Sequence, residues 1–300
     1  MALSTRITEM LGIEKPIIQA AMGWIARAQL SSAVSNAGGM GIIETSSGEL
    51  DAVREEILKM RQLTDKPFGV NVAQAFVRDP DIIRFVIDQG VKFVTTSAGD
   101  PMKYTAMLKE AGLTVFHVVP NLAGALRAVE AGVDGLIVEG GEGGGFKNPK
   151  DVSTMVLVPQ VVEAVDVPVV AAGGIMDGKT MAAAFALGAE GVLMGTRILS
   201  SAESPVHQNW KQAILDADAT DTVFLNRKGP GPALRALRTG RSTRIAAEGS
   251  PNIFGEFADT RKVYFEGDLE AGIALTGQVA GRIHEVKPVA QILDETMREY

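Results

Sequence analysis

The chain has 300 residues, 46% of them hydrophobic and 22% charged, a balance that supports a large core and excludes long disordered stretches. Its formal net charge is −7, against a nucleic-acid surface, and it has no cysteine, which excludes disulfides, thiolate nucleophiles, Cys-ligated zinc and iron–sulfur clusters. Residues 1–9 carry Arg6 and Glu9 and no apolar run, and no stretch reaches the ~18 apolar residues of a membrane helix, so the expectation is a cytoplasmic protein.

Short, nearly continuous apolar runs recur along the chain. They are PIIQAAM (16–22), MGIIE (40–44), FGVNV (68–72), FVTTS (93–97), TVFHVV (114–119), GLIVEG (135–140), PVVAAGG (168–174) and GVLMGT (191–196). Runs of this length and character are strands buried on both faces. Helical spacing fills the gaps, at 28–38, 50–63, 79–90, 101–112, 122–132, 154–165 and 178–188, and five of these segments stop at a glycine. SPVHQNWKQAILDA (204–217) reads as an eighth outer helix. A helix after every strand predicts right-handed crossovers and a parallel sheet, and eight units predict a closed (β/α)8 TIM barrel in one domain. A doubly wound open sheet is the rival. Residues 218–270 read as an excursion over one barrel end, irregular through the basic stretch 226–244 and too short and polar for its own core. Residues 272–283 and 288–300 read as helices returning to the wall.

In this fold ligands sit where the strands end. Ala172 and Gly174 close the seventh run, and Gly195 and Thr196 close the eighth. Bare glycines there let backbone N–H groups approach a phosphate, and the Thr196 hydroxyl adds a donor. After the sixth run comes Glu139-Gly-Gly-Glu142-Gly-Gly144-Gly145-Phe146, a nearly bare backbone against which a flat ligand can lie; the plainer reading is a mobile loop. Asn71, at the third strand end, offers an amide to a polar ring edge. Ala21, Met22 and Gly23 follow the first strand, where small residues can embrace a ring, although alone they read as an ordinary turn. His117 reads as a core or rim residue, His207 and His284 share no metal-ligand spacing, and no metal site is expected. None of the eight runs ends in a lysine, which counts against a Schiff-base aldolase or an isomerase.

With these residues in place the chain resembles the nitronate monooxygenase (2-nitropropane dioxygenase) family, which includes flavin-dependent enoyl-acyl-carrier-protein reductases and NADH:quinone reductases. The resemblance is carried by PIIQAAMGW, NAGGMGII, KPFGVNV, GGEGGG, VPVVAAGGIMDG and MGTR, and it runs from Arg6 to about Thr222 and again around Gly267–Gly281. It implies a (β/α)8 barrel and noncovalent FMN. By position, Ala21, Met22, Gly23 and Asn71 would contact the isoalloxazine, and Glu139, Gly144 and Gly145 would meet the ribityl chain or ring edge. Ala172, Gly174, Gly195 and Thr196 would hold the phosphate, with Gln278 a weaker candidate. The stretch GVKFVTTSAGDPMKY (90–104) looks like the reductase branch.

One departure matters. Where much of this family ends the glycine-rich loop in a histidine, the proposed proton-transfer group, this chain has Phe146. Phenylalanine transfers no proton, which removes a contribution of ~10²–10⁴-fold from deprotonation of a neutral nitroalkane. An anionic nitronate needs no such base. Glu142 is the nearest substitute acid or base, and its plainer reading is a solvated loop carboxylate. Arg227, Lys228, Arg235, Arg238, Arg241 and Arg244 form a cationic cluster suited to an acyl-CoA or another phosphorylated compound; the plainer reading pairs them with neighbouring carboxylates. The expected function is an FMN-dependent oxidoreductase acting on a small organic substrate, with NAD(P)H as candidate co-substrate. The alternatives are an NAD(P)H-dependent enoyl-thioester or quinone reductase and a flavin-binding protein without turnover. A homodimer is compatible with the sequence.

Overall fold

The computed structural model describes residues 3–77, 79 and 81–300. All eight predicted strands form: β1 (Ile17–Gln19), β2 (Gly41–Ile43), β3 (Phe68–Ala73), β4 (Phe93–Ser97), β5 (Thr114–Val119), β6 (Gly135–Glu139), β8 (Val169–Ala172) and β9 (Gly191–Met194). They are parallel, in the order β1-β9-β8-β6-β5-β4-β3-β2. The ring closes between β1 and β2, where Ile18 bridges Met40 and the Gln19 N–H donates to the Met40 carbonyl at 3.0 Å. An open doubly wound sheet would leave those two strands as edges, so this contact decides for the barrel.

The continuous apolar character of the strands follows from having two buried faces. Ile18, Ile42, Phe93, Phe116, Ile137 and Val170 fill the barrel interior, and Phe93 meets Phe116 edge-on at 5.1 Å. Helix α1 (Arg6–Leu11) adds Ile7 and Leu11 to this inner cluster. Alternate residues such as Val70, Val94, Val115 and Leu136 face the outer helices. Those helices are α2 (Ala28–Asn36), α3 (Leu50–Leu63), α4 (Ile82–Asp88), α5 (Thr105–Glu110), α6 (Leu122–Glu130), α7 (Thr154–Val162), α8 (Gly178–Ala186) and α10 (Gln208–Leu215). The five predicted glycine stops, Gly38, Gly90, Gly112, Gly132 and Gly188, all have φ between 67° and 96°, the left-handed turn that ends a helix most cheaply at glycine. The segment 101–112 divides into a 3₁₀ turn at Pro101–Lys103 and α5, because Asp100 and Pro101 start a turn of their own. Pro80, in the helical segment predicted at 79–90, lies outside the described residues.

The excursion differs from its reading as irregular chain. It holds β10 (Thr222–Leu225), β11 (Ala233–Leu237) and α11 (Gly240–Glu248). The strands join β7 (Gly145–Lys147), from the glycine-rich loop, in an antiparallel sheet of order β10-β11-β7. A small core of its own lies beneath, from Val223, Leu225, Leu234, Ala236, Ile245 and Ile253. Of the basic residues that gave the stretch its polar look, Arg235 alternates with Leu234 and Ala236 on β11, and the others lie in the loops and on α11. Residues 272–283 form no helix beyond a 3₁₀ turn at Gln278–Arg282, since Gly272, Gly277 and Gly281 interrupt the run. The final helix, α12 (Val289–Glu299), packs against α8 and α2 as a returning wall element.

Candidate active site

A cavity of about 870 Å³ opens at the C-terminal ends of the strands, large enough for a cofactor and an organic substrate together. Its lining includes Ala21, Met22, Gly23, Asn71, Glu139 and Glu142. Gly144, Gly145, Phe146, Ala172, Gly174, Gly195 and Thr196 complete the set of predicted positions found there. Gln278 is not among the lining residues: its backbone N–H donates to the Glu142 carbonyl at 2.9 Å, and its neighbours Gly277 and Val279 face the space instead.

The corner where β8 and β9 end is built from backbone. Gly173 and Gly174 leave β8 at φ 88° and 79°, a conformation that side-chain-bearing residues rarely adopt. Gly195 caps a short helix, α9 (Thr196–Leu199), and a Cβ there would meet only Ala20, at 3.5 Å, so its bare backbone faces open space. The Thr196 hydroxyl accepts from the Gly277 N–H at 2.9 Å, tying the returning segment to this corner. Gly144 is pressed against that segment: a Cβ would stand 2.7 Å from both the Gly277 nitrogen and the Thr276 carbonyl carbon. The site therefore pairs a backbone cradle with a flat glycine wall, which suits a phosphate joined to a planar ring.

The polar groups of the walls are held in place. Asn71 is buried and donates from Nδ2 to the Thr95 hydroxyl at 2.9 Å. Gln19, at the end of β1, donates to the Ile42 carbonyl at 3.1 Å, but its Oε1 is buried and has no partner among the described residues. An orphaned acceptor in the cavity wall is a place for a ligand N–H or O–H. Sequence reasoning missed Gln19, although a lone amide in an apolar strand run was the available signal.

The titratable groups fall into distinct roles. Glu142 accepts from the Thr154 N–H at 3.0 Å and from its hydroxyl at 2.9 Å, so it caps the start of α7. Asp151 pairs with Arg227 at 2.8 Å, and Asp100 pairs with Arg127 at 2.6 Å. The Arg127 hydrogen bond brings the Asp100 carboxyl down to about 2. His117 is buried, with Nδ1 2.6 Å from the Thr96 hydroxyl, and burial pulls it down to about 4 against a hydrogen bond to Gly99 and the charge of Asp100. Burial likewise raises the Tyr264 phenol well above its usual range. The remaining pair is Glu139 with Lys147, a lysine whose side chain is only 4% exposed. Lys147 ends no main barrel strand, so a search of the strand ends passed over it; β7 brings it back into the cavity wall.

Phe146 sits at the cavity mouth in an aromatic cluster. Its ring lies 4.9 Å from Phe76 and stacks on Phe257 at 5.7 Å, with Phe254 at 6.4 Å. The excursion thus contributes an apolar lip, from Pro232 and Phe254, which Leu275 of the returning segment extends. Its cations are engaged elsewhere. Arg241 and Arg244 pair with Glu256, Arg238 with Asp221, and Arg235 is buried, donating to the Gly141 carbonyl at 2.6 Å. The plainer reading of the basic cluster, pairing with neighbouring carboxylates, holds for Arg238, Arg241 and Arg244 and not for the buried Arg235. Arg235 braces the glycine-rich loop. Among the described residues no group of side chains could hold a metal ion, and no helix is long and apolar enough to cross a membrane.

Comparison with known proteins agrees with this geometry. A family model described as nitronate monooxygenase matches residues 4–82 and 73–299. A Mycobacterium tuberculosis protein named (3aS,4S,5R,7aS)-5-hydroxy-7a-methyl-1-oxo-octahydro-1H-indene-4-carboxyl-CoA dehydrogenase is 41% identical over 242 residues, 80% of this chain and 67% of its own length. The structure of FabK from Thermotoga maritima superposes with a TM-score of 0.92 at 43% identity, over 99% of this chain and 96% of that one. Nitroalkane oxidase from Streptomyces ansochromogenes superposes with a TM-score of 0.85 at 26% identity, covering 98% of this chain and 97% of its own.

Proposed function

The chain belongs to the nitronate monooxygenase family and is an oxidoreductase, and from that premise we propose that it binds FMN and acts on an acyl thioester, with NAD(P)H as the second substrate. FMN, when bound, supplies the two-electron chemistry by passing a hydride between nicotinamide and the β-carbon of the acyl group. The chain supplies position and charge. Gly174, Gly195 and Thr196 would hold the phosphate, Gly144 and Gly145 would lie along the ring edge, and Ala21, Met22, Gly23 and Asn71 would bound the ring. The orphaned Gln19 Oε1 accepts from a donor-bearing ligand in the same wall.

Phe146 is the observation that carries the choice of substrate. An aromatic ring clustered with Phe76, Phe254 and Phe257 at the mouth removes the proton acceptor that a neutral nitroalkane requires. The same ring gives an acyl chain an apolar surface to lie on. A relative named for a carboxyl-CoA substrate supports a coenzyme A ester. Oxidation of an anionic nitronate is the second reading, favoured by the family's name and by its independence of a base. A cytoplasmic location belongs to the same proposal.

The test is an anaerobic titration of the FMN-loaded protein with NADH and then NADPH, followed by crotonyl-CoA or by ethyl nitronate with oxygen. Bleaching of the flavin band by a nicotinamide and its return with crotonyl-CoA is the expected result. A band that persists with both nucleotides and bleaches with nitronate assigns the second reading. Failure to retain FMN removes the cofactor on which both depend.

A further inference from the structure

The reductive chemistry of an enoyl thioester needs a proton at the α-carbon, and position 146 does not supply it. Its neighbour can. Along β7 side chains alternate, so Phe146 enters the aromatic lip while Lys147 reaches Glu139 in the cavity wall. Burying an ammonium is costly unless it is paired, and this one is paired with Glu139. The loop is cut to fit that pair: a Cβ on Gly143 would stand 2.8 Å from Lys147 Nζ and would collide with the Glu139 carboxylate. The other ionisable groups of the cavity are committed. Glu142 caps α7, Asp100 and Asp151 hold arginines, His117 is bound to Thr96, and Tyr264 is fully packed.

Building on the thioester reading above, we propose that Lys147 is the catalytic acid of this site, positioned by Glu139. In the reductive direction FMN, when bound and reduced by NAD(P)H, would supply a hydride to the β-carbon. The C=C π pair moves to the α-carbon and takes a proton from Lys147 Nζ. One N–H bond breaks, one α-C–H bond forms, and the thioester leaves saturated. Lys147, now a neutral amine, regains a proton from water by way of Glu139, whose side chain is 26% exposed. An ion-paired ammonium is an acid and not a base, so it serves this step and does not serve deprotonation of a nitroalkane.

The test compares wild type, Lys147→Met and Lys147→Arg as holoenzymes. FMN affinity is read by flavin fluorescence, and the two half-reactions by stopped flow, with NADPH or NADH as reductant and crotonyl-CoA as acceptor. Lys147→Met should hold FMN and accept hydride within about threefold of wild type, while reoxidation by crotonyl-CoA falls ~10²–10⁴-fold. Lys147→Arg should restore part of that loss. Reoxidation of Lys147→Met within about fivefold of wild type overturns the proposal. So does FMN affinity weakened as strongly as reoxidation in both variants, which would make Lys147 a structural brace. If Lys147→Met does not fold, Lys147→Gln is measured in its place, and reoxidation within the same limit of about fivefold of wild type overturns the assignment. Wild-type flavin that bleaches with nicotinamide but is not reoxidised by crotonyl-CoA defeats the thioester reading itself, an outcome separate from failure of Lys147 alone.

Discussion

His117 makes the stability of this protein depend on pH in a way that can be worked out from its surroundings. Its ring is buried on β5 against Thr96, and burial lowers its pKa from 6.5 to about 4. Below pH 6.5 the unfolded chain takes up a proton that the folded chain refuses until about pH 4. The folded state therefore binds fewer protons over that interval, and stability falls as pH drops through it. Each unit of pKa shift corresponds to ~1.4 kcal/mol, so the full loss is about 3.5 kcal/mol, of which about 3 kcal/mol has accrued by pH 4 and almost none above pH 7. Replacing His117 with Gln keeps a polar partner for the Thr96 hydroxyl and removes the titration. Urea unfolding of both proteins at several values between pH 7.5 and pH 4 measures the effect. The wild type should lose about 3 kcal/mol more than His117→Gln over that range, with most of the difference accruing between pH 6.5 and pH 4.5. A difference between the two proteins that stays constant within about 0.5 kcal/mol across the range would refute the account of a buried neutral imidazole.

Three further outcomes follow from the site. Gly144→Ala places a methyl group 2.7 Å from backbone atoms of Thr276 and Gly277, which cannot swing away as a side-chain end could, so FMN affinity by fluorescence titration should weaken at least about tenfold. Arg235→Met removes the donor to the Gly141 carbonyl; the loop should gain proteolytic sensitivity, and FMN should bind more weakly, with little change at the distant α12. Glu142→Gln separates capping from chemistry. A capping role predicts ~1 kcal/mol of lost stability and turnover within about threefold, whereas a drop in turnover of about a hundredfold with FMN still bound would place Glu142 in the proton path.

The sequence exposed the barrel because its physics is local. A strand buried on two faces must be continuously apolar, and a helix that ends tightly favours glycine; both signals can be read residue by residue, as at Val169–Ala172 and Gly188. The bare backbone at Gly174 and Gly195 was legible for the same reason, since both positions act through the absence of a side chain, and its use for a phosphate is part of the proposal. What stayed hidden depends on pairings between distant segments. Nothing near Gly145–Lys147 says that it will become a strand, because its partner is Ala233–Leu237, far along the chain. Without that pairing Lys147 reads as a surface lysine and the arginines beyond residue 226 read as a free cationic face.

That hidden pairing also connects the fold to the chemistry. A glycine-rich loop left alone could adopt many conformations and would hold neither an aromatic lip nor an ion pair in place. Hydrogen bonding to β11 fixes the alternation of β7, sending Phe146 one way and Lys147 the other, while Arg235 from the same β11 clamps the loop at Gly141. The excursion is thus the part of the chain that gives the barrel an apolar entrance and a buried cation. Substrate preference should therefore follow β11 more than the barrel strands. Leu234→Asn, which puts an amide into the small core beside Phe146, should disturb the acyl-binding lip and raise KM for crotonyl-CoA, while FMN affinity, set by Gly174, Gly195 and Thr196, stays within about threefold. Equal losses in both measurements would show that the excursion and the cofactor corner act as one unit, and the division of labour argued from β7 and β11 would fail.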